Sequence, residues 1–438
     1  MDQTLAQIAQ TTQSPPSGWR SKAQLRMIPT IASDVAKTEA VQRLGKAAGL
    51  GDINPWDESV AASLDEVLRR NGPSNPFNFR FAAAAAVGAR TEAAFTASSR
   101  SLELPVHLTE RPEFFPPAGI ENAFSPALTT VSLPRGIVWN FAEGPVVMLP
   151  DGKTILRDFT SKYSGLVHFY DVDPAVSFRA GTYIDGTVIV MTDDVRPLNF
   201  CHWLIDGLPR FAALGPRIRR SDTFVVTLPL TAPFQLDSLL MCGFERRRII
   251  EVKNFQAIQA RELIVTSDLA NMPHPAFKAA PWAMSYLRGS VGLASAMATR
   301  AGHAVTPKKI YISRADAGGR RVTNETEFCN LLIKAGYTKV ILSELPLAEQ
   351  VTIFAGATHV VALHGAGLSN AVFLTPPAQV IEIFPISYGT PAYYVLTAGN
   401  GNRYATFVVK DVVSSDRAQL DDFTIDVSDF ETQCANLL

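Results

Sequence analysis

The sequence predicts an α/β protein in which two doubly wound units face each other across a cleft, behind a mostly helical N-terminal extension. Two patterns carry this reading. After Asp194, short β-branched apolar runs alternate with stretches of helical spacing, as in parallel sheets covered on both faces. The alternation comes in two sets, separated by a long helical stretch from Pro275 to Leu293. With 438 residues there is room for two or three domains, and 47% hydrophobic against 18% charged residues describes a chain that folds.

Residues 1–50 are rich in Gln, Ser, Thr and Pro and read as a poorly ordered arm. SVAASLDEVLRR, 59–70, spaces apolar residues for a helix, and Phe81 to Ala89 reads as a packed Ala-rich helix, so 51–100 is expected to be a helical accessory segment. From 102 to 198 the runs TVSL, GIVWNF, PVVMLP, LVHFYDV and GTVIVMT are broken by Pro and Gly and read as strands. The first alternating set is then helix LNFCHWLIDGLPRFAAL, strand TFVVTLP, helix FQLDSLLMCG and strands IIEV and ELIVTS. The second is strand KKIYISR, helix ETEFCNLLIKAG, strand KVILSE, helix LAEQVTIFAGA, strand HVVALHG, a short helix and strand QVIEIF.

Composition narrows the function. Forty basic and 41 acidic residues nearly cancel, which argues against nucleic acid as a partner. The start of the chain lacks the basic and apolar regions of a signal peptide, and no apolar run near it approaches the roughly 20 residues of a membrane span. Four scattered cysteines, Cys201, Cys242, Cys329 and Cys434, suit a reducing, cytoplasmic compartment. His107, His168, His274, His303 and His359 show no metal spacing, and the Asp171-Val172-Asp173 triplet reads as a plain loop, so no metal is expected.

Three constellations carry chemistry. In the first, a buried strand ends at Leu363 and a tight His364-Gly365-Ala366-Gly367 turn opens a helix near Asn370. Glycines there let a ligand approach the backbone, and a helix N-terminus offers N–H groups to a pyrophosphate. Glu382, at the end of the next strand, could accept from ribose hydroxyls or be satisfied by local amides. The third glycine of a dinucleotide fingerprint is replaced by Asn370, and Pro376-Pro377 cut the helix short, which disfavours a nicotinamide oxidoreductase. The second constellation runs from Ser313 to Glu325. Arg314, Arg320 and Arg321 hang from a strand's carboxyl end, where guanidinium forks match phosphate oxygens, whereas Asn324 and Glu325 read as the cap of the next helix. In the third, His202 and Asp206 stand four apart on a helix; such a pair can remove a proton or merely orient the helix, and the residues alone leave both open.

Taken together and in order, NFCHWLIDGLPRF, YISRADAGGRRVTNETEF and VVALHGAGLSNAVFLTPPAQVIEIFP resemble glycosyltransferase family 61, whose bacterial members are often described as capsular polysaccharide biosynthesis proteins. The resemblance spans about 195 to 390 and implies a GT-B-like architecture of two facing Rossmann-like domains, here 101–300 on the acceptor side and 301–410 holding the donor. A tail, 411–438, is expected to pack back on the N-terminal domain. It further implies inverting transfer of a sugar from a nucleoside-diphosphate sugar, UDP-linked, to a hydroxyl of a glycan or polysaccharide, with no cofactor required. The absence of a membrane span is compatible with peripheral membrane association. Carried over by position, Asp206 is the expected general base beside His202; Ser313, Arg314, Arg320 and Arg321 lie near the donor phosphates; His364, Gly365, Ala366, Gly367 and Asn370 form the donor loop; Glu382 lies near the ribose. The Gly318-Gly319 pair departs from the family's bulkier or basic pattern. The alternative is a non-catalytic nucleotide- or glycan-binding module of the same fold.

Overall fold

The computed structural model describes residues 80–110, 122–125, 127–140, 145–152, 154–160, 182–191, 199–252, 256–267, 280–299, 306–413 and 420–438. The expected arm, the helix at 59–70, the strand LVHFYDV and the Asp171-Val172-Asp173 triplet lie outside them.

The strands are β1 (Arg80–Ala82), β2 (Thr91–Phe95), β3 (Ser98–Ser101), β4 (Val106–His107), β5 (Asn122–Ser125), β6 (Leu128–Pro134), β7 (Ile137–Asn140), β8 (Val146–Met148), β9 (Thr154–Leu156), β10 (Thr182–Met191), β11 (Thr223–Thr227), β12 (Ile249–Glu251) and β13 (Gln256–Thr266). There follow β14 (Lys309–Ile312), β15 (Thr338–Val340), β16 (His359–Leu363), β17 (Gln379–Pro385), β18 (Arg403–Val409), β19 (Val412–Val413) and β20 (Asp422–Phe423). The helices are α1 (Pro233–Met241), α2 (Pro281–Leu287), α3 (Leu293–Thr299), α4 (Glu325–Lys334), α5 (Leu347–Gly356), α6 (Ala392–Gly399) and α7 (Val427–Cys434).

Among the described residues the first sheet has ten strands, with the path β1-β9-β8-β7-β13-β10-β11-β12 and with β2 and β6 joined beside β13. Its β13-β10-β11-β12 end and the β1-β9 pair are parallel; β6, β7 and β8 run antiparallel to their neighbours. The expectation of a doubly wound first unit is corrected accordingly. The short connections from 128 to 156 allow a meander, whereas parallel pairing needs a crossover of a dozen residues or more. A second correction concerns 80–101. Phe81 to Ala89 is not a helix: β1 pairs in parallel with β9, and only a four-residue 3-10 turn, Ala84–Val87, follows before Gly88 (φ 66°). Sheet pairing overrides an alanine propensity worth tenths of a kcal/mol per residue.

The second sheet is parallel throughout, in the order β15-β14-β16-β17-β18-β4. Its inner strands β14, β16, β17 and β18 are buried on both faces, which explains their nearly unbroken apolar runs. Ile310, Ile312, Val360, Ala362, Val380 and Phe384 join one large apolar cluster that also contains Ile189, Val225, Ile264, Trp203 and Phe211 from the first half. Tyr311, Val361, Leu363, Ile381 and Ile383, at the alternate positions, face a different cluster with Phe328, Phe407 and Phe430. Period-two alternation thus divides each strand between two cores.

The C-terminal tail lies in that latter cluster. Phe430 of α7 meets Phe328 of α4 at 4.9 Å and Phe407 of β18 at 5.0 Å between ring centroids. The expectation that 411–438 packs on the N-terminal domain is therefore corrected: the tail covers the outer face of the second sheet. An element of the first half, β4, also extends the second sheet beside β18.

Phe430→Ala is expected to destabilise the protein by about 3–5 kcal/mol in urea denaturation, the usual loss for a buried ring. A midpoint equal to wild type would mean that α7 is not part of the core.

Candidate active site

Parallel pairing of β14, β16 and β17 puts their carboxyl ends side by side, so the loops that leave Ile312, Leu363 and Pro385 share one edge. At that edge two of the predicted constellations meet. The Arg314 guanidinium lies so close to Gly365 that a Cβ there would sit 2.1 Å from Nη1. Gly365 has extended backbone (φ 171°), so glycine is required by this approach and not by its dihedral. Arg314 donates from Nη2 to the Gly319 carbonyl at 3.1 Å, while its buried Nε has no protein partner. Burial, then the neighbouring Arg320, pushes the guanidinium down to about 10. It stays charged at neutral pH, but it is short of counter-charge.

Arg320 has φ 56°, rare for a side chain with a Cβ, and sets its guanidinium 5.1 Å from the centre of the Tyr388 ring. Its Nε is likewise buried and unpartnered. Two neighbouring guanidiniums thus each keep an unpaired N–H, the kind of donor that suits an anion.

His364 follows β16 and is nearly enclosed. Its ring stacks on Phe384 at 4.9 Å and is flanked by Tyr393 at 5.4 Å and Tyr388 at 5.6 Å. Nδ1 lies 2.5 Å from Glu382 Oε1, and the Tyr404 hydroxyl donates to Glu382 Oε2. Glu382 is fully buried with both oxygens engaged, so its expected place near a ribose is corrected: it orients the imidazole. The following turn is a 3-10 helix, Ala366–Phe373, in which Ala366 and Gly367 keep partial exposure.

Three more expectations change. Asn370 is fully buried and donates to Gln350 Oε1 and the Gly367 carbonyl, so it braces the turn from beneath. Ser313 is buried and donates to Glu325, which also receives Tyr311 and Lys339. Arg321 forms a two-nitrogen pair with Asp422 at 3.1 and 2.8 Å and is not free for phosphates. Asn324 stands at the helix start, yet its side chain makes no cap; it grips Ile425 through both the carbonyl and the N–H.

The third constellation lies on an irregular helical segment: a π turn, His202–Gly207, then 3-10 geometry over Leu208–Arg219, broken at Gly215 and Pro216. Pro209 and Pro216 remove backbone donors, and wide turns of this kind recur at functional sites. Asn199 accepts from the N–H groups of Cys201 and His202; Trp203 Nε1 donates to Ser238 at 2.8 Å, and Arg210 Nε to the Asp206 carbonyl at 2.9 Å. His202 Nδ1 lies 2.6 Å from Asp206 Oδ2. The imidazole side chain is 39% exposed and the carboxylate only 4%, so the pair presents His202 outward with Asp206 behind it.

Tyr393, which the sequence reading missed, joins this pair to the glycine turn. Its hydroxyl lies against the Cys201 thiol, next to His202, and against the Ser369 hydroxyl, while its ring flanks His364. Burial, then Cys201 and Glu382, holds the phenol well above its ordinary range, so it remains a neutral donor. In the sequence it sits within AYYVL, which looks like any buried helix. Among the described residues no three His, Cys, Asp or Glu side chains gather as a metal site, and no helix is long and apolar enough to cross a membrane.

His202, Arg314 and the 364–370 turn all fall inside a segment that matches a known sugar-transferring family. Residues 200–381 match the family described as Glycosyltransferase 61. No curated protein sequence matches the chain. One solved structure similar to it is the bacterial iron-containing dodecameric glycosyltransferase TibC from enterotoxigenic E. coli H10407, with 11% identity over 74% of this chain and 89% of that one, at a TM-score of 0.23.

Two outcomes follow. Gly365→Ala is expected to push the flexible end of Arg314 aside and weaken UDP binding by about tenfold or more, the scale of one charged hydrogen bond, with little change in thermal midpoint; equal affinity in calorimetry would detach Arg314 from the site. Glu325 feels burial raising its pKa, outweighed by bonds from Lys339, Ser313 and Tyr311 that hold it below the usual range. That stability is present at neutral pH and lost as pH falls through the depressed value. Glu325→Gln should lower the neutral urea midpoint and flatten its fall toward acid.

Proposed function

We propose that the protein is an inverting glycosyltransferase that moves a sugar from a nucleoside-diphosphate sugar, UDP-linked, to a hydroxyl of a glycan or polysaccharide acceptor. The observation that carries the reading is the meeting of Arg314 with Gly365, which gathers two undercompensated guanidiniums at the carboxyl edge of a parallel sheet. In this reading the sheets act as a GT-B-like pair of Rossmann-like units. The 306–410 half holds the donor, and the segment bearing His202 faces the acceptor.

A hydroxyl is a poor nucleophile until its proton is taken. The exposed imidazole of His202 accepts that proton, and the buried carboxylate of Asp206 holds the ring through Nδ1 and stabilises the charge it gains. The roles expected from sequence are thereby exchanged, with Asp206 as orienter and His202 as base. As the acceptor oxygen bonds to the anomeric carbon, the bond to the diphosphate breaks on the opposite face. Arg314 and Arg320 take up the leaving group's charge, and the loss of one such donor is worth about 2.7–4 kcal/mol by analogy with oxyanion sites. No cofactor is required, because the guanidiniums supply the positive charge. His364, fixed by Glu382, and the Ala366-Gly367 tip line the same turn. All four cysteines are buried and none is in a disulfide, which supports a cytoplasmic location.

His202→Ala is expected to lower transfer by about 10²–10⁴-fold with UDP affinity nearly unchanged, and Asp206→Asn by less. The assay is a screen of sugar nucleotides, followed by kinetics on the one accepted. Wild-type turnover by His202→Ala would remove it as base, and UDP binding without donor hydrolysis or transfer would leave a binding module.

A further inference from the structure

The loop that carries Arg314 and Arg320 has no regular structure of its own to hold it, and what holds it is the chain's C-terminal run, 420–425. A Cβ on Gly319 would meet the Leu420 carbonyl at 2.6 Å, so the run passes directly over the glycine whose carbonyl receives Arg314. The Arg320 N–H donates to that same Leu420 carbonyl at 3.3 Å. Asp422 takes the Arg321 N–H on Oδ1 at 2.8 Å and its guanidinium on Oδ2. Beyond it, Phe423 N–H donates to the Arg321 carbonyl, Thr323 N–H to the Phe423 carbonyl, Thr424 meets Thr323 at 2.8 Å, and Asn324 grips Ile425. Every residue from 319 to 324 except Val322 is tied by a hydrogen bond or close contact to this run, and Val322 bridges Phe423.

The charges show the same dependence. Asp422 is the carboxylate paired with an arginine of the loop, and burial, raising its pKa, is overcome by Arg321 and Arg314, which hold it below its usual range. Arg320 keeps its left-handed backbone between two anchors, its own N–H on Leu420 and the Arg321 N–H on Asp422. A left-handed arginine costs about 1–3 kcal/mol and persists where its surroundings over-determine it.

From this we infer that the 420–425 run, through Asp422, is a positioning element of the anion site: it holds Arg320 and Arg314 in the geometry that receives a diphosphate, without touching the ligand itself. The inference rests on the donor-site reading above. It also gives Gly319 a reason, since a side chain there would displace the strap.

The test titrates UDP, GDP and inorganic pyrophosphate into the full chain by calorimetry. Wild type is expected to bind, and Asp422→Ala to bind about tenfold more weakly or worse, with a thermal midpoint close to wild type because Asp422 belongs to none of the apolar clusters. Arg321→Ala, which opens the same clamp from the other side, should match it, and the exchanged pair Arg321→Asp with Asp422→Arg should recover most of the loss. A merely structural strap would lower the midpoint and leave the affinity of the folded protein alone, so unchanged affinity in Asp422→Ala overturns the inference while the donor site stands. If wild type binds none of the three probes, the donor site and the strap fall together.

Discussion

An arginine side chain pressed against a glycine is the contact around which the site is arranged. Arg314 leaves the end of β14 and Gly365 follows β16, and the two strands pair in parallel, so their exits are neighbours by register. Glycine lets the guanidinium lie on the backbone itself, and the space it fills cannot also be filled by a side chain. The result is a positive charge kept from water and given one carbonyl, a state that is stable only in a fold rigid enough to impose it. Parallel strands buried on both faces provide that rigidity, since any shift of β14 against β16 would move residues out of two cores at once.

Around that charge the polar groups are paired from behind. Glu382 and Tyr404 fix His364; Gln350 fixes Asn370; Glu325 collects Tyr311, Ser313 and Lys339. Buried polar groups are costly unless satisfied, and satisfied groups lock their partners in one rotamer. Among the buried groups left without a hydrogen-bond partner are the Nε atoms of Arg314 and Arg320, with Ser369 Oγ and Asn370 Oδ1 of the turn.

What was legible in the sequence was local. The glycine turn after a buried strand, the i and i+4 spacing of His202 and Asp206, and the basic loop after KKIYIS are patterns a few residues long, and each forms where expected. The errors concern partners far along the chain. Arg321 looks like a phosphate ligand until Asp422, 101 residues later, is seen to hold it. Glu382 looks like a ribose acceptor until Tyr404 and His364 occupy it, and Tyr393 has no signature because a buried tyrosine that links two motifs is written like one that fills a core. The helix expected at 81–89 failed for the same reason, since β9 lies more than sixty residues downstream.

The apolar cluster that takes residues from both sheets has a consequence for anyone wishing to dissect the chain. Cut free near residue 306, the C-terminal part would expose the greasy side of Ile310, Ile312, Val360 and Val380, and its outermost strand, Val106–His107, would remain on the discarded piece. Such an excised fragment would be sticky at one face and open at one edge. Chimaeras with relatives are better joined inside exposed loops than at the apparent midpoint.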